Sequence, residues 1–142
     1  MKKISILALS TLFSASALAN NIIYSCKTAE NQTLTVTKEG KNYAFSYGNI
    51  KFKNPINQVM QQPMTEIAGG SQFTTITIAM QNADKIYVIG HIEPNGNPKE
   101  LFEAGLSVEN AKSGEKIQYF ECKNPVRHNF DRKLMRKSGF AA

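Results

Sequence analysis

The sequence predicts an all-β fold, a small antiparallel β-barrel or sandwich of seven to eight strands. Three observations carry that reading. Short runs rich in β-branched and aromatic residues follow one another, with turn residues between them. Within the clearest runs apolar and polar residues alternate, which is the period of a half-buried strand. Before the last twenty residues, no long segment sustains a helical period.

The elements follow in order. "NIIYSCKT" reads as a first strand that turns at Glu30-Asn31. "QTLTVTK" alternates, placing Leu34 and Val36 on one face and three threonines on the other. Glu39-Gly40-Lys41-Asn42 reads as a hairpin turn, after which Tyr43, Phe45 and Tyr47 share a face. Gly48-Asn49 interrupts the pattern, and "IKFK" continues it with Ile50 and Phe52. Pro55 and Pro63 make the next stretch a poor central strand, so it is read as a connection holding a short helix or an edge strand. Gly69-Gly70-Ser71 is a turn leading into "FTTITIAM", the strongest strand signal, with Ile76, Ile78 and Met80 facing one way. "QNAD" joins it to "KIYVIGHI" as a hairpin. "EPNGNP" is a loop, "KELFEAG" fits one helical turn, and "LSVEN" and "KIQYFECK" are the closing strands.

Residues 1–19 read as a secretory signal peptide. Lys2 and Lys3 precede an apolar run from Ile4 to Phe13, and Ala17-Leu18-Ala19 fits the cleavage pattern. Serines and Thr11 interrupt the run, so it does not suit a membrane anchor, and no other segment is apolar enough to span a bilayer. The expected location is periplasmic or secreted. Residues 20–122 are read as the β domain and residues 123–142 as a basic C-terminal tail.

Cys26 and Cys122 are the chain's two cysteines. In an exported protein an even count reads as a disulfide, here tying the first strand to the last. Closing a loop of that length stabilises a chain by about 4.7 kcal/mol in the chain-entropy model.

Charge is unevenly placed. Residues 20–122 hold nine Lys/Arg and ten Asp/Glu, whereas residues 123–142 hold six Lys/Arg and one Asp. The near-neutral body and the absence of a basic groove argue against a nucleic-acid partner. The tail is the candidate interaction segment, with Arg127, Arg132, Lys133, Arg136 and Lys137 as candidates for binding an anionic surface such as lipid or lipopolysaccharide. Asp131 to Lys137 has the pattern of two helical turns, in which Phe130 and Leu134 share a face. A solvated, frayed terminus is the competing reading.

No catalytic residue is identified, and the chain is read as a non-enzyme with no cofactor. The two histidines, His91 and His128, lie far apart in sequence, and His91 falls on the strand face of Tyr87 and Ile89. No zinc-type spacing, nucleophile elbow or phosphate-binding glycine loop is present, so no metal site is expected.

One arrangement carries a resemblance. "YSC" at Tyr24–Cys26 follows the leader, "AGGSQF" at Ala68–Phe73 leads into a strand, and "IQYFEC" closes the body. This resembles the bacterial periplasmic C-type lysozyme inhibitor family, whose members are small disulfide-tied β-barrels. The family starts on a tyrosine-x-cysteine, carries a serine/glycine-rich loop and ends on a cysteine. The resemblance implies that Gly69, Gly70 and Ser71 form a loop inserted into a lysozyme cleft. The family's second loop, a Lys-Gly pair after an aromatic, has no counterpart here, and the basic tail is additional. The expected function is an exported binding protein, an inhibitor of a wall-degrading enzyme or toxin. The alternative is an envelope-surface binder acting through the tail.

Overall fold

The alternating runs assemble into one curled, ten-stranded sheet in the computed structural model, which describes residues 21–139. The proposed leader lies outside the described residues. In chain order the strands are β1 (Ile22–Thr28), β2 (Thr33–Glu39), β3 (Asn42–Tyr47), β4 (Ile50–Pro55), β5 (Glu66–Gly69), β6 (Phe73–Asn82), β7 (Lys85–Pro94), β8 (Glu103–Asn110), β9 (Lys116–His128) and β10 (Arg136–Ser138). One helix, α1 (Ile56–Gln61), joins β4 to the segment before β5. The spatial order is β10-β5-β6-β7-β8-β9-β1-β2-β3-β4, and every pairing is antiparallel except β10 on β5.

The expected count of seven to eight strands is therefore too low. "YAFSY" and "IKFK" form a separate hairpin, β3–β4, turning through Gly48 in the left-handed region. Such a turn suits glycine, which has no Cβ to clash. The stretch read as a connection holds the short helix between the two prolines and, after Pro63, the strand β5. "KELFEAG" is not a helical turn: it runs through turns into β8 at Glu103.

The inner face is built by the residues that alternate in sequence. Leu34 and Val36, then Tyr43, Phe45 and Tyr47, then Ile76, Ile78 and Met80 are all buried. Tyr87, Ile89, Leu106 and Val108 complete the core from β7 and β8, with Val59 of α1 covering one side. Gly90 of β7 lies opposite Gly105 of β8. A Cβ on Gly90 would fall 2.1 Å from the Ile76 carbonyl oxygen, and one on Gly105 would fall 2.5 Å from that of Phe120. Paired glycines thus admit an approach that no side chain permits.

Curling brings β4 towards the free edge of β6, and side chains close the gap. Asn54 donates from Nδ2 to the Gln81 carbonyl at 2.9 Å, and Gln81 donates its N–H to Asn54 Oδ1 at 2.8 Å. Thr65 Oγ1 accepts from the Ala79 N–H at 2.9 Å. The result is a half-barrel whose seam is held by side chains in place of a strand ladder. Cys26 and Cys122 form a disulfide, with Cα atoms 5.6 Å apart. The bond joins adjacent strands β1 and β9 at a bulge in their register. A disulfide of this kind is consistent with an oxidising compartment. Among the described residues, no helix is long and apolar enough to cross a membrane.

Among the described residues the tail forms no helix. β9 runs past Cys122 to His128, and Arg132–Leu134 make a turn before β10 adds to β5. Among the described tail residues Phe130 and Met135 are buried, and Leu134 stays 55% exposed. The i, i+4 pair Phe130/Leu134 therefore does not share a buried face. The reason is tertiary: the unpaired edge of β5 offers backbone partners that an isolated two-turn helix, weak on its own, cannot match.

Candidate functional site

The functional candidates collect at one end of the half-barrel, where the β5–β6 and β7–β8 loops lie and the tail crosses. Gly70–Gln72 form the β5–β6 connection. The loop is fixed at both sides. Gly70 donates its N–H to the Phe73 carbonyl at 2.8 Å, and Asn95 Nδ2 donates to the Gly70 carbonyl at 2.8 Å. Asn95 also takes a 2.6 Å bond from the Thr74 hydroxyl and donates its backbone N–H to the Gln72 carbonyl. Gly69, Gly70 and Ser71 are thus presented by two cross-linked loops. Gly69 is the last residue of β5, and Ser71 is exposed.

Beside this loop stands an aromatic pair that the strand pattern did not single out. Phe73 begins β6 and Phe102 precedes β8; their ring centroids are 5.3 Å apart. Phe102 is 72% exposed and Phe73 41%. Alternation along β6 turns Thr74 and Ile76 inward, so Phe73 must face outward. Its partner is positioned by the Phe102 N–H, which donates to the Ile92 carbonyl at 2.8 Å.

Five tail cations were expected to act together, and the structure divides them. Arg132 is bonded through both terminal nitrogens to Glu93, at 2.9 and 3.0 Å. Arg136 pairs with Glu66, which also accepts from the Ser138 hydroxyl at 3.0 Å. Arg127, Lys133 and Lys137 are exposed. Two of the five are therefore used to fasten the tail.

Beneath the tail lies a polar cluster inside the barrel. His91 and Glu93 point inward from β7, two residues apart on one face. The end of β9 supplies His128, which sits opposite Tyr24 of β1. His91 Nε2 is 3.1 Å from Glu93 Oε2, and the two imidazole centroids are 4.3 Å apart. Tyr24 and Phe130 stack against His91 at 6.1 and 5.7 Å. Burial, helped by the neighbouring His128, holds the His91 pKa down to about 4, although Glu93 pulls the other way. For Glu93, burial pushes upward, but the hydrogen bonds from Arg132 and His91 outweigh it and leave its pKa lowered. Sequence spacing had separated the two histidines; the β7–β8–β9–β1 register brings them together.

No family model, curated protein or solved structure matches the chain.

Proposed function

We propose that the protein is a non-enzymatic, exported binding module whose partner is another protein, and that its target is a wall-degrading enzyme or a toxin. The observation that carries the reading is the exposed Phe73–Phe102 pair beside the Gly69–Ser71 loop. Aromatic side chains held at a surface are the residue type that most often anchors protein interfaces. Here they stand on a sheet fixed by a disulfide and beside loops tied together by Asn95. Such pre-ordering lowers the entropy cost of binding. The resemblance of "YSC", "AGGSQF" and "IQYFEC" to the lysozyme inhibitor family points to the same end of the molecule.

The test uses the oxidised chain from residue 20 against a C-type lysozyme, read as lysis of a cell-wall suspension. Inhibition near one-to-one stoichiometry is expected. Phe102→Ala should weaken it by about 2 kcal/mol, roughly 30-fold, as loss of an interfacial anchor does. A chain that neither inhibits nor binds lysozyme at micromolar concentration removes the lysozyme target. If every tested hydrolase and toxin is left unbound, the inhibitor reading goes with it.

The alternative, attachment of the tail to an anionic envelope surface, retains Arg127, Lys133 and Lys137 as its exposed cations. Each contributes about 1 kcal/mol close to an anionic membrane.

A further inference from the structure

We propose that His91, Glu93 and His128 form a binding site for a borderline divalent transition-metal ion of the zinc class. One donor atom from each residue lies within 4.8 Å of the others. The whole sequence contains two histidines, and both are in this cluster. They come from positions 91 and 128, on strands separated by β8, so no local motif accounts for their meeting.

The second observation concerns the His91 ring. It is 3% exposed, and Nδ1 is buried with no hydrogen-bond partner among the described residues. The other ring nitrogen, Nε2, faces Glu93 Oε2 at 3.1 Å, so the imidazole and the carboxylate turn their donor atoms towards one point. Buried polar atoms are nearly always partnered, and an exception calls for a ligand or a functional role. Burial also keeps the ring uncharged near neutral pH, which is the form that ligates metals.

The donor set selects the ion. Two imidazoles and one carboxylate suit zinc, copper or cobalt; calcium and magnesium demand oxygen ligands. Arg132 already neutralises much of the Glu93 charge, which further disfavours a hard ion held by charge alone. Once Nε2 gives up its proton, His91 and Glu93 can ligate the same ion from atoms 3.1 Å apart. His128 is only half-buried, which leaves a solvent-facing side for entry and for a water in the remaining coordination position.

Both cysteines are in the disulfide, so no thiolate competes with the two histidines for the ion. That makes the test specific. The oxidised, tag-free chain from residue 20 is stripped with chelator and titrated with Zn2+ by calorimetry and with Co2+ by visible absorption. One ion per chain and a cobalt d–d band are expected. His128→Gln, at a half-exposed position that leaves the core intact, should abolish both, with an unchanged circular dichroism spectrum. Glu93→Gln removes one of the three ligands and should weaken binding by more than the ~10–100-fold that loss of a merely orienting carboxylate causes. Absence of zinc binding by the parent chain, or equal binding by His128→Gln, overturns the site.

Discussion

Arg132 grips Glu93 through both terminal nitrogens, at 2.9 and 3.0 Å, and so fastens the last stretch of chain across the loop end of the half-barrel. The carboxylate is buried, whereas the guanidinium is 40% exposed. Arg132→Ala leaves Glu93 with His91 as its remaining side-chain partner. Breaking a fully buried pair costs about 3–5 kcal/mol; with one partner this exposed, about 2 kcal/mol is expected. Urea unfolding measures the loss, and limited trypsin digestion should show faster cleavage at Lys133 as the strap loosens.

Acid should destabilise the protein in two stages. The folded His91 pKa lies near 4 against an ordinary value of 6.5, so between those pH values the unfolded chain takes up a proton that the folded chain refuses. Stability is therefore complete above pH 6.5 and falls by up to about 3 kcal/mol as pH drops to 4. Glu93, with its pKa lowered, contributes stability present above its ordinary value of 4.5 and lost as pH falls below that. Urea midpoints at pH 7.5, 5.5 and 4.5 in metal-free buffer check the first stage. His91→Gln should flatten the response over that window, and a flat response in the parent chain contradicts it.

The facing glycines of β7 and β8 give a sharper steric expectation. Gly90→Ala drives a methyl group to 2.1 Å from a backbone oxygen, which cannot rotate away. The strands must part, at a cost of about 3 kcal/mol or more, the upper end for overpacking. Gly96→Ala is a useful comparison, since a methyl group there meets nothing within 4 Å. Its backbone is left-handed at φ 85, so its penalty is conformational alone and should be about 1 kcal/mol. Thermal unfolding of the two variants separates the effects.

These residues also mark where sequence patterns are and are not informative. Leu34/Val36, Tyr43/Phe45/Tyr47 and Ile76/Ile78/Met80 were readable as core because a strand packed on one face must alternate. The disulfide was readable from the parity of the cysteines and the expectation of export. β5 was readable only as one of two options for its stretch, and β10 was not readable at all, because four and three residues are too few to show a period. The tail misled because Phe130 and Leu134 have helical spacing, while the edge of β5 that decides the outcome is formed by residues about 70 positions earlier. Phe73 was hidden inside a strong strand run, and its exposure depends on which face the barrel closes around. The meeting of His91 with His128 is a matter of sheet register alone.

Surface attachment by the tail cannot be tested by cutting it off, because Phe130 and Met135 would leave the core with it. Charge reversal at the exposed positions avoids this. If the tail binds anionic surfaces, Lys133→Glu with Lys137→Glu should abolish salt-sensitive binding to vesicles containing anionic lipid and leave the unfolding midpoint within about 0.5 kcal/mol of the parent. Equal vesicle binding by the double variant removes the tail from that role.

The seam offers the last prediction. Asn54 both donates to and accepts from Gln81, taking the place of a backbone partner across the gap between β4 and β6. Asn54→Ala removes two bonds at once and leaves the Gln81 N–H and carbonyl without those partners. Each unsatisfied buried group costs about 1–3 kcal/mol, so a loss of about 3 kcal/mol is expected, less if water enters the seam. Asn54→Asp keeps the shape and the acceptor but sets a carboxylate against the Gln81 carbonyl. It should therefore lose about as much at neutral pH and recover part of the deficit in mild acid, where the protonated group donates again. Hydrogen exchange at the Gln81 amide reads the seam directly: fast exchange in Asn54→Ala with unchanged protection in the β7–β8 ladder places the defect there, whereas unchanged Gln81 protection shows that β6 is held at this edge by something other than Asn54.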